Sequence, residues 1–323
     1  MRPRVVLVLA VAALLLGGVL LVPAAAARIN GGSADAVAAS TAPAPTIPPK
    51  VVEPPEPTLA PGPVSVDVDG FYSWALMDLE TGKINGSKNS ASATSSTESM
   101  IKTWIVSDFL RQLDEDKKTL STTQKKQIEV AIRDSNDDAA GALNKMGGGV
   151  AQTERMIKWC GLKNTHMGTV PGYVNWWSFT EMSAQDVTRL GQCIKSGKAA
   201  GPKYTPLVLS EMSKVRGTAA AKDQFATYGG GRWGIIDGLP KEIVAGEGPI
   251  SIKNGWTALH YDGNWHISCL AISDDWVLAV QARYPNSKGL DYGAKVCQST
   301  ATQLVTPKVG AALKIPAPNP SQG

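Results

Sequence analysis

Three short segments carry side chains able to do acyl chemistry. In Ser99-Met100-Ile101-Lys102 a hydroxyl and an amine stand three residues apart, which on a helix places them on one face. A lysine partly withdrawn from water near a helix N-terminus can lose its proton, and the neutral amine then serves as base on the serine. Ser135-Asn136-Asp137 supplies a second hydroxyl in a polar loop. Lys253-Asn254-Gly255 supplies a second amine and a glycine within an apolar run, the pattern of an edge strand that closely approaches a ligand. Each segment also has a plain structural explanation. A serine and lysine at this spacing form an ordinary solvated pair on many helices, Ser135 or Asp137 suits a helix cap, and Lys253 suits any edge strand.

The elements that must position these groups follow from periodicity. Phe71 to Leu79 reads as a strand, turned by Glu80-Thr81-Gly82 toward Lys83-Ile84. Ser95 to Thr97 read as caps for a helix over 98–112, in which Ile101, Trp104, Ile105, Phe109 and Leu113 recur at three- and four-residue spacing. Further helices are expected over 122–133, after Asp137, and over 152–159, 183–194 and 206–214, with an irregular stretch from His166 to Thr180. Strands return over 252–259, 266–272 and 276–283, and a helix over 292–304 closes the domain. Strands at both chain ends around a helical middle predict an α/β (α+β) fold, an antiparallel sheet split in sequence with a helical lobe inserted.

The order and spacing of the three segments resemble the serine β-lactamase (class A-like) and penicillin-binding superfamily, whose motif set is S-x-x-K, S-D-N and K-T-G. The resemblance covers about residues 70 to 306. It extends to Ser135-Asn136-Asp137-Asp138-Ala139-Ala140 and to Gly234-Ile235-Ile236-Asp237-Gly238-Leu239-Pro240 before the last motif. It implies a β-lactamase/DD-peptidase-like fold, with Ser99 the acylated nucleophile and Lys102 its activating partner. Ser135 would pass a proton to the leaving nitrogen, and Lys253 would hold the substrate carboxylate. The backbone N–H groups of Ser99 and Trp256 would form the oxyanion hole, worth ~3 kcal/mol per donor in related chemistry. Gly255 would leave room for the acyl group. The implied partner is a β-lactam or a D-Ala-terminated cell-wall peptide, with no cofactor and no metal.

Two departures bear on turnover. The family's second motif ends in an amide, whereas Asp137, when ionised, donates no hydrogen bond and would repel a substrate carbonyl unless protonated or turned away. Asn136 would supply the amide only in a shifted register. Class A enzymes also place a glutamate in a loop ahead of the next helix to activate the deacylating water, but residues 169–177 hold no Asp or Glu, and Glu181 reads as part of that helix's first turn. An acyl-enzyme that turns over slowly is expected. The alternative is a weakly catalytic or inactive member that serves as a cell-wall-binding module.

The remaining sequence sets the context. Arg2 and Arg4, an 18-residue apolar run from Val5 to Val22, and Ala24 to Ala27 have the order of an export signal, cleaved or retained as an anchor. Nine of the 21 prolines fall between Pro43 and Pro63, so residues 28–63 read as a semi-rigid linker. The catalytic-type domain is expected over 64–314, with a tail over 315–323. A formal net charge of +4, two units of it in the signal, excludes a nucleic-acid partner. Membrane contact is expected only through the N-terminal segment, and a monomer in the extracellular space or cell envelope is expected. Export permits disulfides. Of the three connectivities open to Cys160, Cys193, Cys269 and Cys297, Cys160–Cys193 and Cys269–Cys297 join elements expected to be neighbours, while four buried thiols remain the alternative. Trp176, Trp177, Trp233 and Trp256 are expected to border the cleft or pack its lid. Gly229-Gly230-Gly231 reads as a flexible connector, since no phosphate-loop context surrounds it.

Overall fold

Apolar side chains crowd three consecutive C-terminal strands, and that accounts for the sheet at the centre of the molecule. The computed structural model describes residues 55–224, 229–246 and 248–307. The expected signal, most of the linker and the tail lie outside these residues. In chain order the elements are β1 (Thr58–Leu59), β2 (Phe71–Asp78), β3 (Ile84–Gly86), β4 (Thr94–Ser96), α1 (Lys102–Glu115), α2 (Thr122–Arg133), α3 (Asp137–Met146) and α4 (Val150–Cys160). Next come β5 (Thr165–His166), β6 (Glu181–Ser183), α5 (Ala184–Lys195), α6 (Gly201–Met212), α7 (Ala221–Gln224) and α8 (Lys241–Gly246). The chain closes with β7 (Ser251–Leu259), β8 (Asn264–Ile272), β9 (Trp276–Pro285), α9 (Gly289–Leu304) and β10 (Val305–Thr306).

The main sheet is antiparallel with order β3-β2-β9-β8-β7, so the first long strand pairs with the last one and β7 forms an edge. Both faces are covered. Gly191 of α5 lies against Val277 and Leu270, whereas Gly293 of α9 lies against Ile267 and Tyr284. Positions 267 and 270 point to opposite faces by strand alternation, so α5 and α9 sandwich the sheet. Cys269 of β8 bonds Cys297 of α9, and Cys160 of α4 bonds Cys193 of α5. β1 pairs with β10, with Thr58 opposite Thr306, which ties the start of the described chain to its end.

The inserted lobe is built around α1. Trp104, Ile105 and Leu110 are buried, and the Trp104 indole donates to the Gln152 carbonyl of α4 at 2.7 Å. Several element boundaries differ from expectation. Ser95 and Ser96 are not caps; they pair with Met182 and Glu181 in a small sheet. Residues 98–101 form a 3₁₀ turn with no side-chain cap, and α1 begins at Lys102. Glu181 is therefore a strand residue, and the next helix starts three residues later, capped by Ser183 through the Asp186 N–H. α6 starts at Gly201 with a proline in its first turn, and Pro206 sits inside it.

Candidate active site

The 3₁₀ turn carrying Ser99 runs directly into α1, so Lys102 is the first residue of the helix that the lobe buries most completely. Lys102 is 0% exposed, and its Nζ lies 2.8 Å from Ser99 Oγ. The same nitrogen reaches the Ser135 carbonyl at 2.5 Å, Asp137 Oδ1 at 2.6 Å and Ser135 Oγ at 3.3 Å. A neutral amine has two protons and one lone pair. It can therefore donate to the Ser135 carbonyl and to Asp137 while accepting from the Ser99 hydroxyl. Burial pushes Lys102 below the usual lysine range, and the Asp137 carboxylate opposes that shift.

Ser135 stands in the left-handed region at φ 57°, between α2 and α3. That strained backbone aims Oγ between two amines, since Lys253 Nζ approaches it at 2.9 Å. Arg216 braces the preceding residue, with Nε 2.6 Å from Asp134 Oδ1. Asn136 caps α3 by accepting from the Ala139 N–H at 2.8 Å, which ties its side-chain oxygen to the helix. Asp137 is the first residue of α3; its side chain is 78% exposed yet turned onto Lys102.

Edge strand β7 closes the other wall. Lys253 is fully buried and held well below the usual lysine range, chiefly by desolvation and then by the neighbouring Lys102 charge, with Asp137 opposing. Gly255 answers a packing requirement of its own. A Cβ there would strike the Thr97 carbonyl and come within 2.7 Å of Met100 N, so the glycine lets β7 lie against the nucleophile turn. Trp256 lines the pocket, and its indole donates to Gln224 at 2.7 Å.

Between these walls is a cavity of about 190 Å³ bordered by Ser99, Ser135, Asp137, Trp176, Trp177 and Trp256. Of the four tryptophans flagged in the sequence, Trp233 is the exception: it is buried, donates to the Gly230 carbonyl and packs edge-on against Trp256 at 5.6 Å. The Gly229–Gly231 run is a packed wall and not a flexible connector. Gly229 has φ 57°, borders the cavity and lies so close to the Asp134 carbonyl that no side chain fits. Trp177 stands where residues 169–177 pass the site, 5.4 Å from Lys102 Nζ.

Sequence reasoning passed over Glu98. It precedes Ser99, is buried at φ 48°, and its oxygens accept from Ser96 Oγ and Thr257 Oγ1, both at 2.7 Å. Desolvation pushes its carboxyl up to about 7 against those two hydrogen bonds. The available signal was a carboxylate immediately before the candidate nucleophile.

The architecture is that of the serine β-lactamase and penicillin-binding fold. Solved structures similar to this chain include PBP-A, with TM-score 0.54 and 16% identity over 76% of this chain and 97% of that one. The TLA-3 extended-spectrum β-lactamase gives TM-score 0.56 and 12% identity, covering 73% and 92%. The class A β-lactamase of Mycobacterium abscessus gives 0.52 and 14%, covering 72% and 92%. In sequence, the chain is 26% identical over 216 residues to a protein of Mycobacterium tuberculosis and Mycobacterium bovis provisionally named lipoprotein LppW. That match covers 66% of this chain and 63% of the relative, so this chain spans less than two thirds of the relative's length. No family model matches the chain.

Proposed function

We propose that this protein is an exported serine acyl-enzyme, acylated at Ser99 by β-lactams or D-Ala-terminated cell-wall peptides. The observation that carries the reading is the 2.8 Å contact between Lys102 Nζ and Ser99 Oγ, with the amine buried and depressed. Lys102 takes the serine proton as Oγ attacks the carbonyl carbon. Ser135, in contact with both lysines, returns a proton to the departing nitrogen. Lys253 and the N–H groups of Ser99 and Trp256 receive the substrate's carboxylate and the developing oxyanion. The fold shared with class A β-lactamases and PBP-A supports the assignment. The provisional lipoprotein name of the sequence relative, together with two disulfides, supports an envelope or secreted location, delivered by residues 1–27 and held at the end of linker 28–63. This chain's first cysteine is Cys160, so no lipid attachment is proposed near the N-terminus.

A second reading, a wall-binding module with little or no turnover, is favoured by one feature. Trp176 and Trp177 border the cavity where residues 169–177 pass it, and that stretch offers no carboxylate to activate water. Intact mass of the full chain with excess penicillin, followed by a chase, separates the readings. A single-penicillin adduct absent from Ser99→Ala supports the acyl-enzyme. Its persistence gives a slow penicillin-binding enzyme, its loss within minutes gives a β-lactamase, and no adduct leaves the binding module.

A further inference from the structure

Behind the Ser99 turn runs an unbroken line of hydrogen bonds that the acylation chemistry above does not use. Asp262 Oδ2 is 2.7 Å from His266 Nε2, His266 Nδ1 is 2.7 Å from Ser96 Oγ, and Ser96 Oγ is 2.7 Å from Glu98 Oε1. The other Glu98 oxygen takes the Thr257 hydroxyl at 2.7 Å. Ser96, Glu98 and His266 are all nearly inaccessible to water. We propose that Asp262, His266, Ser96 and Glu98 form a relay holding one mobile proton, with Glu98 a positioning residue that keeps the oxyanion edge free of opposing charge. The proposal rests on Ser99 being the acylated residue.

Counting donors gives the proton number. The Ser96 hydroxyl has one hydrogen and two neighbours, His266 Nδ1 and Glu98 Oε1. In one state Glu98 is a carboxylic acid donating to Ser96, Ser96 donates to a neutral His266, and His266 Nε2–H donates to Asp262. In the other, the imidazolium donates to Ser96 and to Asp262, while Ser96 donates to the Glu98 carboxylate. Both satisfy every polar atom and hold the same number of protons. With one proton fewer, either Ser96 faces two acceptors with one hydrogen or, in the other imidazole tautomer, a bare Nε2 faces the Asp262 carboxylate; with one more, the Ser96 hydrogen has no acceptor. Conversion between the two good states moves one proton from Nδ1 to Ser96 Oγ while the serine's proton passes to Oε1, so imidazolium and carboxylate become imidazole and carboxylic acid.

The relay ends where acylation needs it. Glu98 immediately precedes Ser99, and Thr257 immediately follows Trp256, so the Glu98–Thr257 bond ties together the chain neighbours of the two residues whose N–H groups are proposed to hold the oxyanion. A fixed negative charge there would oppose a second one, and drawing the proton onto Glu98 removes it. Other charged groups act on the chain. Asp137 and Glu181 add negative charge toward Glu98, Lys102 adds positive charge, Arg283 faces His266, and the Tyr261 ring packs 6.1 Å from the imidazole. Burial favours the neutral pair, raising Glu98 and lowering His266.

Two measurements test this. In long-range proton–nitrogen NMR of the histidine-labelled full chain, with His266 assigned through His266→Gln, Nε2 should carry the proton and Nδ1 should be bare at pH 7. That form should persist below the usual histidine midpoint of ~6.5. A bare Nε2, or an ordinary titration, overturns the relay. In the second arm, Glu98→Gln fixes the neutral arrangement, because its amide donates to Ser96 and its carbonyl accepts from Thr257. The ratio of its penicillin acylation rate to that of the wild type should rise several-fold from pH 6.5 to 9, because the wild type alone acquires the Glu98 charge, which opposes the oxyanion and also favours the ammonium form of Lys102. A constant ratio overturns the proposal. If the wild type takes no adduct at Ser99, the acyl-enzyme reading fails by itself, and the NMR result still decides whether the relay exists.

Discussion

Asp137 Oδ1 sits 2.6 Å from Lys102 Nζ, so the residue at the mouth of the cavity grips the amine that must give up its charge. The pair joins a 78% exposed carboxylate to a lysine with no exposure at all. Burial drives Lys102 toward the free base and Asp137 drives it back. The carboxylate therefore borders the cavity while it is paired with Lys102, and its charge is shared with that amine and not left facing a substrate carbonyl alone.

Asp137→Asn should therefore speed acylation. The change removes the charge that favours the ammonium form, and it supplies an amide able to donate to a substrate carbonyl. The gain should be about tenfold, the scale of ~1.4 kcal/mol off the barrier. Stopped-flow acylation by a chromogenic cephalosporin measures it, and an unchanged or slower rate would show that Asp137 serves the reaction. The acid limb of the rate profile should also move down in pH, since the amine then loses its proton more readily.

Lys253→Met should trade activity for stability. Lys253 is wholly buried, and its depressed pKa reports the cost of charging it there. A lysine with a lowered folded pKa binds its proton more readily in the unfolded chain, so it costs stability as pH falls through the interval between its folded and unfolded values. Methionine fills a similar volume with no charge to desolvate. Thermal melts at pH 7 should show a rise of ~3 °C per kcal/mol recovered, while acylation falls by about a hundredfold. A lowered melting temperature would mean that the contacts to Ser135 Oγ and the Asn254 carbonyl, both at 2.9 Å, outweigh the desolvation cost.

The juxtaposition of Ser99 with Lys102 was legible because it is local: a three-residue spacing on a helical turn brings the groups together wherever that turn is placed. The antiparallel sheet was legible because strand periodicity occurs at both chain ends with helices between. What lies behind the site was not. Ser96 and His266 are 170 residues apart, and only the pairing of β7 with β8 against the nucleophile turn brings them within 2.7 Å. The left-handed backbone at Glu98 and Ser135 likewise has no glycine to announce it. The glycine run at 229–231 read as loose because composition records the missing side chains, not the Asp134 carbonyl that excludes them.

Gly255→Ala should damage fold and site together. Its Cβ would meet the Thr97 carbonyl and Met100 N, both backbone atoms that cannot swing aside. Overpacking of this kind costs ~1–3 kcal/mol, or a fall in melting temperature of ~3–10 °C. Because the forced movement separates β7 from the Ser99 turn, acylation should fall more steeply than stability. A variant with wild-type acylation and a lowered melting temperature would disconnect the strand's position from the oxyanion geometry.

Glu98→Gln makes a prediction about stability that stands apart from catalysis. The Glu98 carboxyl is pushed up to about 7 from an ordinary 4.5. The folded chain therefore binds more protons than the unfolded chain across that interval, and stability contributed at this position declines as pH rises from 4.5 to 7. The shift of about 2.5 units corresponds to ~3 kcal/mol. Glutamine has no proton to lose, so the stability of the variant relative to wild type should climb by that order between pH 4 and pH 8. Lys253, depressed chiefly by burial in both proteins, cancels in the difference, whereas Lys102 feels the Glu98 charge and His266 shares its hydrogen-bond line, so the climb belongs to that coupled set. Urea unfolding at five pH values measures the climb. Parallel curves would mean that Glu98 keeps an ordinary carboxyl pKa despite its burial, held down by the hydroxyls of Ser96 and Thr257.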